Sequence, residues 1–109
     1  MEQEVSITWT NPSLEDLQNI YDFYNVHSSS LADRIVSRIV DRVDLLKKGF
    51  LEIGQIESLL ATHPGQPRYL LEGYHKIIYR ILDPHHVLIL TIFDVRQNPD
   101  RLTERFEGA

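Results

Sequence analysis

Gln66-Pro67-Arg68-Tyr69-Leu70-Leu71-Glu72-Gly73-Tyr74-His75-Lys76-Ile77-Ile78-Tyr79-Arg80-Ile81-Leu82-Asp83-Pro84-His85-His86-Val87-Leu88-Ile89-Leu90 is the stretch that decides the fold. Three runs rich in Tyr, Ile, Leu and Val are separated by Gly73 and by Asp83-Pro84-His85-His86. β-Branched and aromatic residues suit a pleated, half-buried surface. Gly73 can take a positive φ at a turn, and Asp-Pro starts one. Connections this short join antiparallel neighbours, because a parallel return needs a crossover of a dozen or more residues. The reading is a three-stranded meander, and the rest of the chain must cover one of its faces.

Working outward, Glu4-Val5-Ser6-Ile7-Thr8-Trp9 alternates polar and apolar residues, as a half-buried first strand does. Asn11-Pro12 opens a helix, with Asn as cap and Pro preorganised in the first turn. Glu15 and Asp16 follow where negative charge suits the helix dipole. Leu14, Leu17, Tyr21 and Tyr24, with Ile20 beside them, form one apolar stripe up to Val26. His27-Ser28-Ser29-Ser30 is a break, with Ser29 or Ser30 capping the next helix. That helix gathers Ala32, Ile35, Val36, Ile39, Val43 and Leu46 on one face and Asp33, Arg34, Ser37, Arg38, Asp41 and Arg42 on the other. Lys47-Lys48-Gly49 ends it. Ile56, Leu59 and Leu60 suggest a short helical turn stopped by His63-Pro64-Gly65. Residues 94–109 read as an irregular tail, with a short helix over Arg101 to Phe106 as its one candidate element. The order β-α-α-β-β-β is an α+β fold: an antiparallel sheet with a two-helix hairpin packed on one face.

With 109 residues and 42% hydrophobic content, the chain is expected to form one domain with one core. No cysteine is present, so neither a disulfide framework nor a thiolate zinc site is available. No apolar run approaches the roughly 20 residues that span a bilayer. The acidic start Met1-Glu2-Gln3-Glu4 does not resemble a signal peptide, and a cytoplasmic location is expected. The net charge of −5 is uneven: residues 1–65 hold five Lys/Arg against ten Asp/Glu, and residues 66–109 hold six of each. A nucleic-acid binder ordinarily shows a basic face, and the chain as a whole lacks one.

Alternation in the strand around His75 to Leu82 points Ile77, Tyr79 and Ile81 one way and Lys76, Ile78, Arg80 and Leu82 the other. With the hairpin on the more apolar set, Lys76 and Arg80 stand on an open face, available to a partner.

This ordered set resembles the toxins of the RelE/ParE superfamily from type II toxin–antitoxin, or plasmid-stabilisation, systems. Trp9 followed by Asn11-Pro12 is similar to that family's passage from strand to helix, and Asp16-Leu17 with Ile20-Tyr21 to its first helix. Gly54-Gln55 is similar to the loop after its second helix. Arg68-Tyr69-Leu70 and Tyr74 through Ile81 resemble its central hairpin. Val87 to Phe93, then Asp94-Val95-Arg96-Gln97-Asn98-Pro99, resembles its last strand and arginine-bearing exit. The resemblance implies a cytoplasmic growth-inhibiting toxin, neutralised by a cognate antitoxin, with no cofactor.

Two activities run on that fold. RelE-like members are ribosome-dependent mRNA endonucleases that use clustered Lys and Arg without a metal. ParE-like members lack the cluster, poison DNA gyrase and are not nucleases. Lys76 and Arg96 match catalytic arginines of the first kind, whereas Pro67 and Tyr69 stand where it carries lysines, and Leu102 near its tyrosine. The resemblance therefore favours the ParE-like activity, with RelE-like cleavage, or a degenerate homologue that only binds antitoxin, as the alternatives.

For cleavage, Arg68, Lys76, Arg80 and Arg96 would have to converge on a phosphate, where each fixed donor can contribute about 3 kcal/mol. His75 could move a proton, although alternation points it away from Lys76. The plainer alternative makes Arg68, Arg80 and their neighbours solvated cations that serve solubility or antitoxin pairing. The five histidines show no metal-ligand spacing: His85-His86 diverge, and His27, His63 and His75 lie apart. Tyr21, Tyr24, Tyr74 and Tyr79 recur at helix and strand spacing and read as core rather than base-stacking platforms.

Overall fold

The computed structural model describes residues 4–107. The elements are β1 (Ser6–Trp9), α1 (Asn11–Asn25), α2 (Ser29–Lys47), β2 (Gln55–Ile56), a 3₁₀ turn (Ser58–Leu60), β3 (Arg68–Glu72), β4 (His75–Asp83), β5 (His86–Asp94) and α3 (Asp100–Glu107). The meander falls where the turn residues put it. Gly73 takes φ +59° between β3 and β4, and Asp83 accepts a 2.8 Å hydrogen bond from the His85 amide between β4 and β5. The sheet has five strands in the order β1-β5-β4-β3-β2 and is mixed rather than antiparallel, because β1 pairs with β5 in parallel. The long route through both helices and the hairpins supplies the crossover that a parallel pair needs. The two-residue β2 pairs with Arg68 and Tyr69 of β3 and is too short to show alternation in the sequence.

Both helix starts sit one residue earlier than expected. Thr10, not Asn11, caps α1: its hydroxyl accepts from Ser13 N at 3.2 Å and donates to the Ile89 carbonyl at 2.7 Å. Asn11 offers no such double link to the sheet. Ser28, not Ser29 or Ser30, caps α2 by accepting from Leu31 N. The α2 face is as expected: Ala32, Ile39, Val43 and Leu46 are buried, Arg38 is exposed, and Ile39, Val43 and Leu46 pack with Ile77, Tyr79, Val87, Ile89 and Ile92 of the sheet. On α1, Leu14 is exposed and Ser13 is fully buried, its hydroxyl returned to the Thr10 carbonyl.

Tyr79, wholly buried, anchors the segment after α2. Its hydroxyl donates to the Leu51 carbonyl at 2.6 Å and accepts from Gly54 N at 3.0 Å, and Arg68 donates to the Gly54 carbonyl at 2.8 Å. A Cβ on Gly54 would stand 2.6 Å from the Tyr79 hydroxyl and 2.7 Å from the Tyr69 carbonyl, so only glycine fits there. Burial raises the Tyr79 hydroxyl above the usual phenol range, keeping it protonated as a donor.

The second face of the sheet is not open. Ile78 and Leu90 form a second core with Leu60 of the 3₁₀ turn and Leu102 of α3, joined by Tyr69, Leu88, Phe93 and Phe106. The segment read as a tail thus carries an eight-residue helix, and α3 with the 3₁₀ turn covers the face assigned to a partner. Alternation tells which residues share a face but not what lies on it. Tyr74 also departs from the core reading: it is 58% exposed.

Candidate functional site

The four candidate cations fall in three places. Lys76 and Arg80 share one face of β4 with Ile78. Arg68 sits opposite Tyr79 in the β3–β4 register, and facing partners share a side, so it lies on the helix face. Arg96 stands beyond the end of β5. Each is engaged differently. Lys76 Nζ is 2.7 Å from a carboxylate oxygen of Glu57, whose side chain is only 1% exposed, and lies 4.4 Å from the centre of the Tyr69 ring. Arg68 is committed to the Gly54 carbonyl. Arg80 packs its side chain against Gly65, and its buried Nε has no hydrogen-bond partner among the described residues. Arg96 holds Asp94 through Nε at 3.0 Å and Nη2 at 2.7 Å, reaches the Tyr24 hydroxyl at 3.3 Å, and lies 4.5 Å from the centre of the Tyr74 ring. The positions occupied by Pro67 and Leu102 are interior, with Leu102 1% exposed in the second core.

Two carboxylates whose long-range partners the sequence does not show organise the polar parts. Asp16 lies past the end of the β1–β5 pairing, where β5 has a bare edge. One of its oxygens accepts from the Ile92 amide at 3.0 Å, from the Thr91 hydroxyl at 2.6 Å and from Arg105 of α3 at 2.9 Å. Arg105 also donates to Thr91, to the Pro12 carbonyl and to the other Asp16 oxygen. Asp16 therefore joins α1, β5 and α3; with α1 starting at Asn11, neither Asp16 nor Glu15 falls in the first turn, where the helix dipole acts. Beyond the Asp16-Leu17 resemblance, its sequence signal is Thr91, the single polar residue in the run Val87 to Phe93. Glu57 caps the 3₁₀ turn by accepting from Leu59 N while it pairs with Lys76.

Between α1 and the end of β5 lies a groove of about 270 Å³. Asp16, Asn19, Phe23, Tyr24, Asp94 and Gln97 line it, over His75, Ile20 and Ile92. His75 is 5% exposed. Burial pushes its pKa below the usual imidazole range, with Arg96 acting in the same sense and Asp94 and Glu72 opposing. The hydrogen bond from Arg96 holds Asp94 below the usual carboxylate range. His75 carries a stability consequence. The unfolded chain takes up a proton near pH 6.5, whereas the folded chain does so only at lower pH. Stability should therefore fall as pH drops below about 6.5 and stop falling once the folded pKa is passed. Asp94 acts in a separate window, below about pH 4. Chemical melts between pH 7.5 and 5 should show this slope, and His75→Gln should flatten it; an unchanged slope in the variant would assign the effect elsewhere.

Residues 7–99 match the model of a family described as the ParE toxin of the type II toxin–antitoxin system parDE. A solved structure described as the chromosomal ParDE TA system from P. aeruginosa aligns with a TM-score of 0.69 at 28% identity, over 86% of this chain and 99% of that one. No curated protein matches the chain.

Proposed function

We propose, from the premise that this chain belongs to the ParE toxin family of type II toxin–antitoxin systems, that it arrests growth by acting on DNA gyrase and is neutralised by a cognate antitoxin. Family membership covers residues 7–99, and the fold of a ParDE relative supports it. The observation that carries the target is the state of Lys76. A ribonuclease of this fold needs its cations free to meet a phosphate, and Lys76 is already neutralised by the buried Glu57 at 2.7 Å. Arg68 lies on the opposite face, Arg96 is bound to Asp94, and Leu102 is core. The net charge of −5 argues the same way, since phosphate contacts dominate RNA affinity.

The antitoxin surface shifts accordingly. With α3 over the second face of the sheet, exposed apolar residues remain at Phe50, Ile53, Ile56 and Leu59 around the β2 edge. An extended or helical antitoxin segment would cover these rather than Lys76 and Arg80. The chain acts as a single domain in the cytoplasm; no helix among the described residues is long and apolar enough to cross a membrane.

Two assays test the reading: gyrase supercoiling with purified protein, and primer extension on translated mRNA from cells overexpressing the chain. Gyrase inhibition with intact message is expected. Codon-positioned cuts abolished by Arg96→Ala would overturn it and make the protein a metal-independent endoribonuclease. Silence in both assays, with antitoxin binding intact, would mark a homologue that has lost toxicity.

A further inference from the structure

The groove between α1 and β5 presents acceptor groups and aromatic rings to the outside. It is lined by two carboxylates, Asp16 and Asp94, two carboxamides, Asn19 and Gln97, and the aromatic residues Phe23 and Tyr24, and no Lys or Arg lines it. Phe23 is 63% exposed and meets the Tyr24 ring edge-on at 5.0 Å, leaving ring surface in water. A guanidinium binds by stacking on such a face while donating to carboxylate and amide oxygens. The chain makes this contact twice with its own side chains, Arg96 over Tyr74 and Lys76 over Tyr69. Among the described residues, no such cation lies over Phe23.

Arg105 and Arg96 already hold the two carboxylates and offset their charge. They fix both carboxylates in place. Among the described residues, one Asp16 oxygen accepts only from Arg105, so an acceptor position remains for a further donor. What recommends a basic partner is thus the set of acceptors and ring faces, backed by the overall charge of −5. Resting on the gyrase reading, we propose that this groove takes an arginine or lysine side chain from the basic, DNA-contacting surface of the gyrase target. An enzyme that handles DNA must present cations along the path of the phosphates, and an acidic toxin matches that surface better than it matches DNA. Arginine and aromatic pairs are also the residues that dominate protein interfaces.

The test uses purified full-length protein in three measurements: gyrase inhibition, antitoxin binding and thermal melting. Asn19→Lys places a like charge in the groove from an exposed position, and Phe23→Ala removes the exposed ring. Each should weaken gyrase inhibition about tenfold or more, with melting and antitoxin affinity unchanged, and Asn19→Asp should keep inhibition. Variants that inhibit like the parent would overturn the groove alone. So would variants that lose antitoxin binding while keeping gyrase inhibition, since the groove would then belong to the antitoxin. A parent chain that leaves gyrase untouched would overturn the gyrase reading and this inference with it.

Discussion

Ile39→Ala and Leu46→Ala should each lower the unfolding free energy by about 2–5 kcal/mol, whereas Arg38→Ala should cost well under about 1 kcal/mol. Ile39 and Leu46 are 0% exposed and lie in the cluster that joins α2 to β4 and β5. Truncation there removes buried methyl groups and leaves a cavity that the rigid sheet cannot fill. Arg38 is one position before Ile39, on the exposed side of the helix. The total stability of a domain this size is roughly 5–15 kcal/mol, so either core change puts folding itself at risk. Ile78→Ala belongs in the same series. Ile78 is 0% exposed, but it lies in the second core, under Leu60 and Leu102. A loss comparable to that of Ile39→Ala would follow from a docked α3. Denaturant melts with unchanged slope check all four variants. An Arg38 variant worse than Ile39→Ala would reverse the helix face, and a neutral Ile78→Ala would mean that α3 does not cover the sheet.

The first core is legible in the sequence and the second is not, for a physical reason. Ile39, Val43 and Leu46 repeat at helical spacing, and Ile77 with Tyr79 at strand spacing, so periodicity alone assigns their faces. Leu60, Ile78, Leu90 and Leu102 come from four separate segments, two of them short, and α3 is polar on average. Leu102 and Phe106 are four residues apart, which is one helical turn, but the surrounding Arg, Glu and Asp make the segment resemble a solvated tail. The Gly54-Gln55 signature shows the same limit. The resemblance marks it as significant, and only the Tyr79 hydroxyl and Tyr69 carbonyl beside it say why glycine is required. Among the site residues, strand alternation places His75 and Lys76 on opposite faces. That Lys76 meets Glu57, 19 residues earlier, depends on how the loop after α2 folds back, and no local pattern records it.

That pairing makes Lys76 the position where structure and activity are easiest to confuse. Lys76→Ala should destabilise the fold by about 3–5 kcal/mol, because it leaves the Glu57 carboxylate buried without its counter-charge. Glu57 is 1% exposed, and among the described residues its side chain's other hydrogen bond is to the Leu59 amide at 3.2 Å. Glu57→Gln should cost less, since the amide oxygen still accepts a hydrogen bond and Lys76, 21% exposed at its side chain, can reach water. The double variant separates the terms. With both charges gone, stability should recover part of what Lys76→Ala loses, a coupling of about 0.5–3 kcal/mol. This changes how a toxicity screen must be read. A Lys76→Ala chain that no longer stops growth is first of all an unstable chain. If the double variant refolds and inhibits growth again, Lys76 holds the 3₁₀ turn against β4 and does no chemistry. If it melts like the parent yet stays inactive, with mRNA cleavage lost in step, Lys76 acts on RNA and the gyrase reading fails at its strongest point.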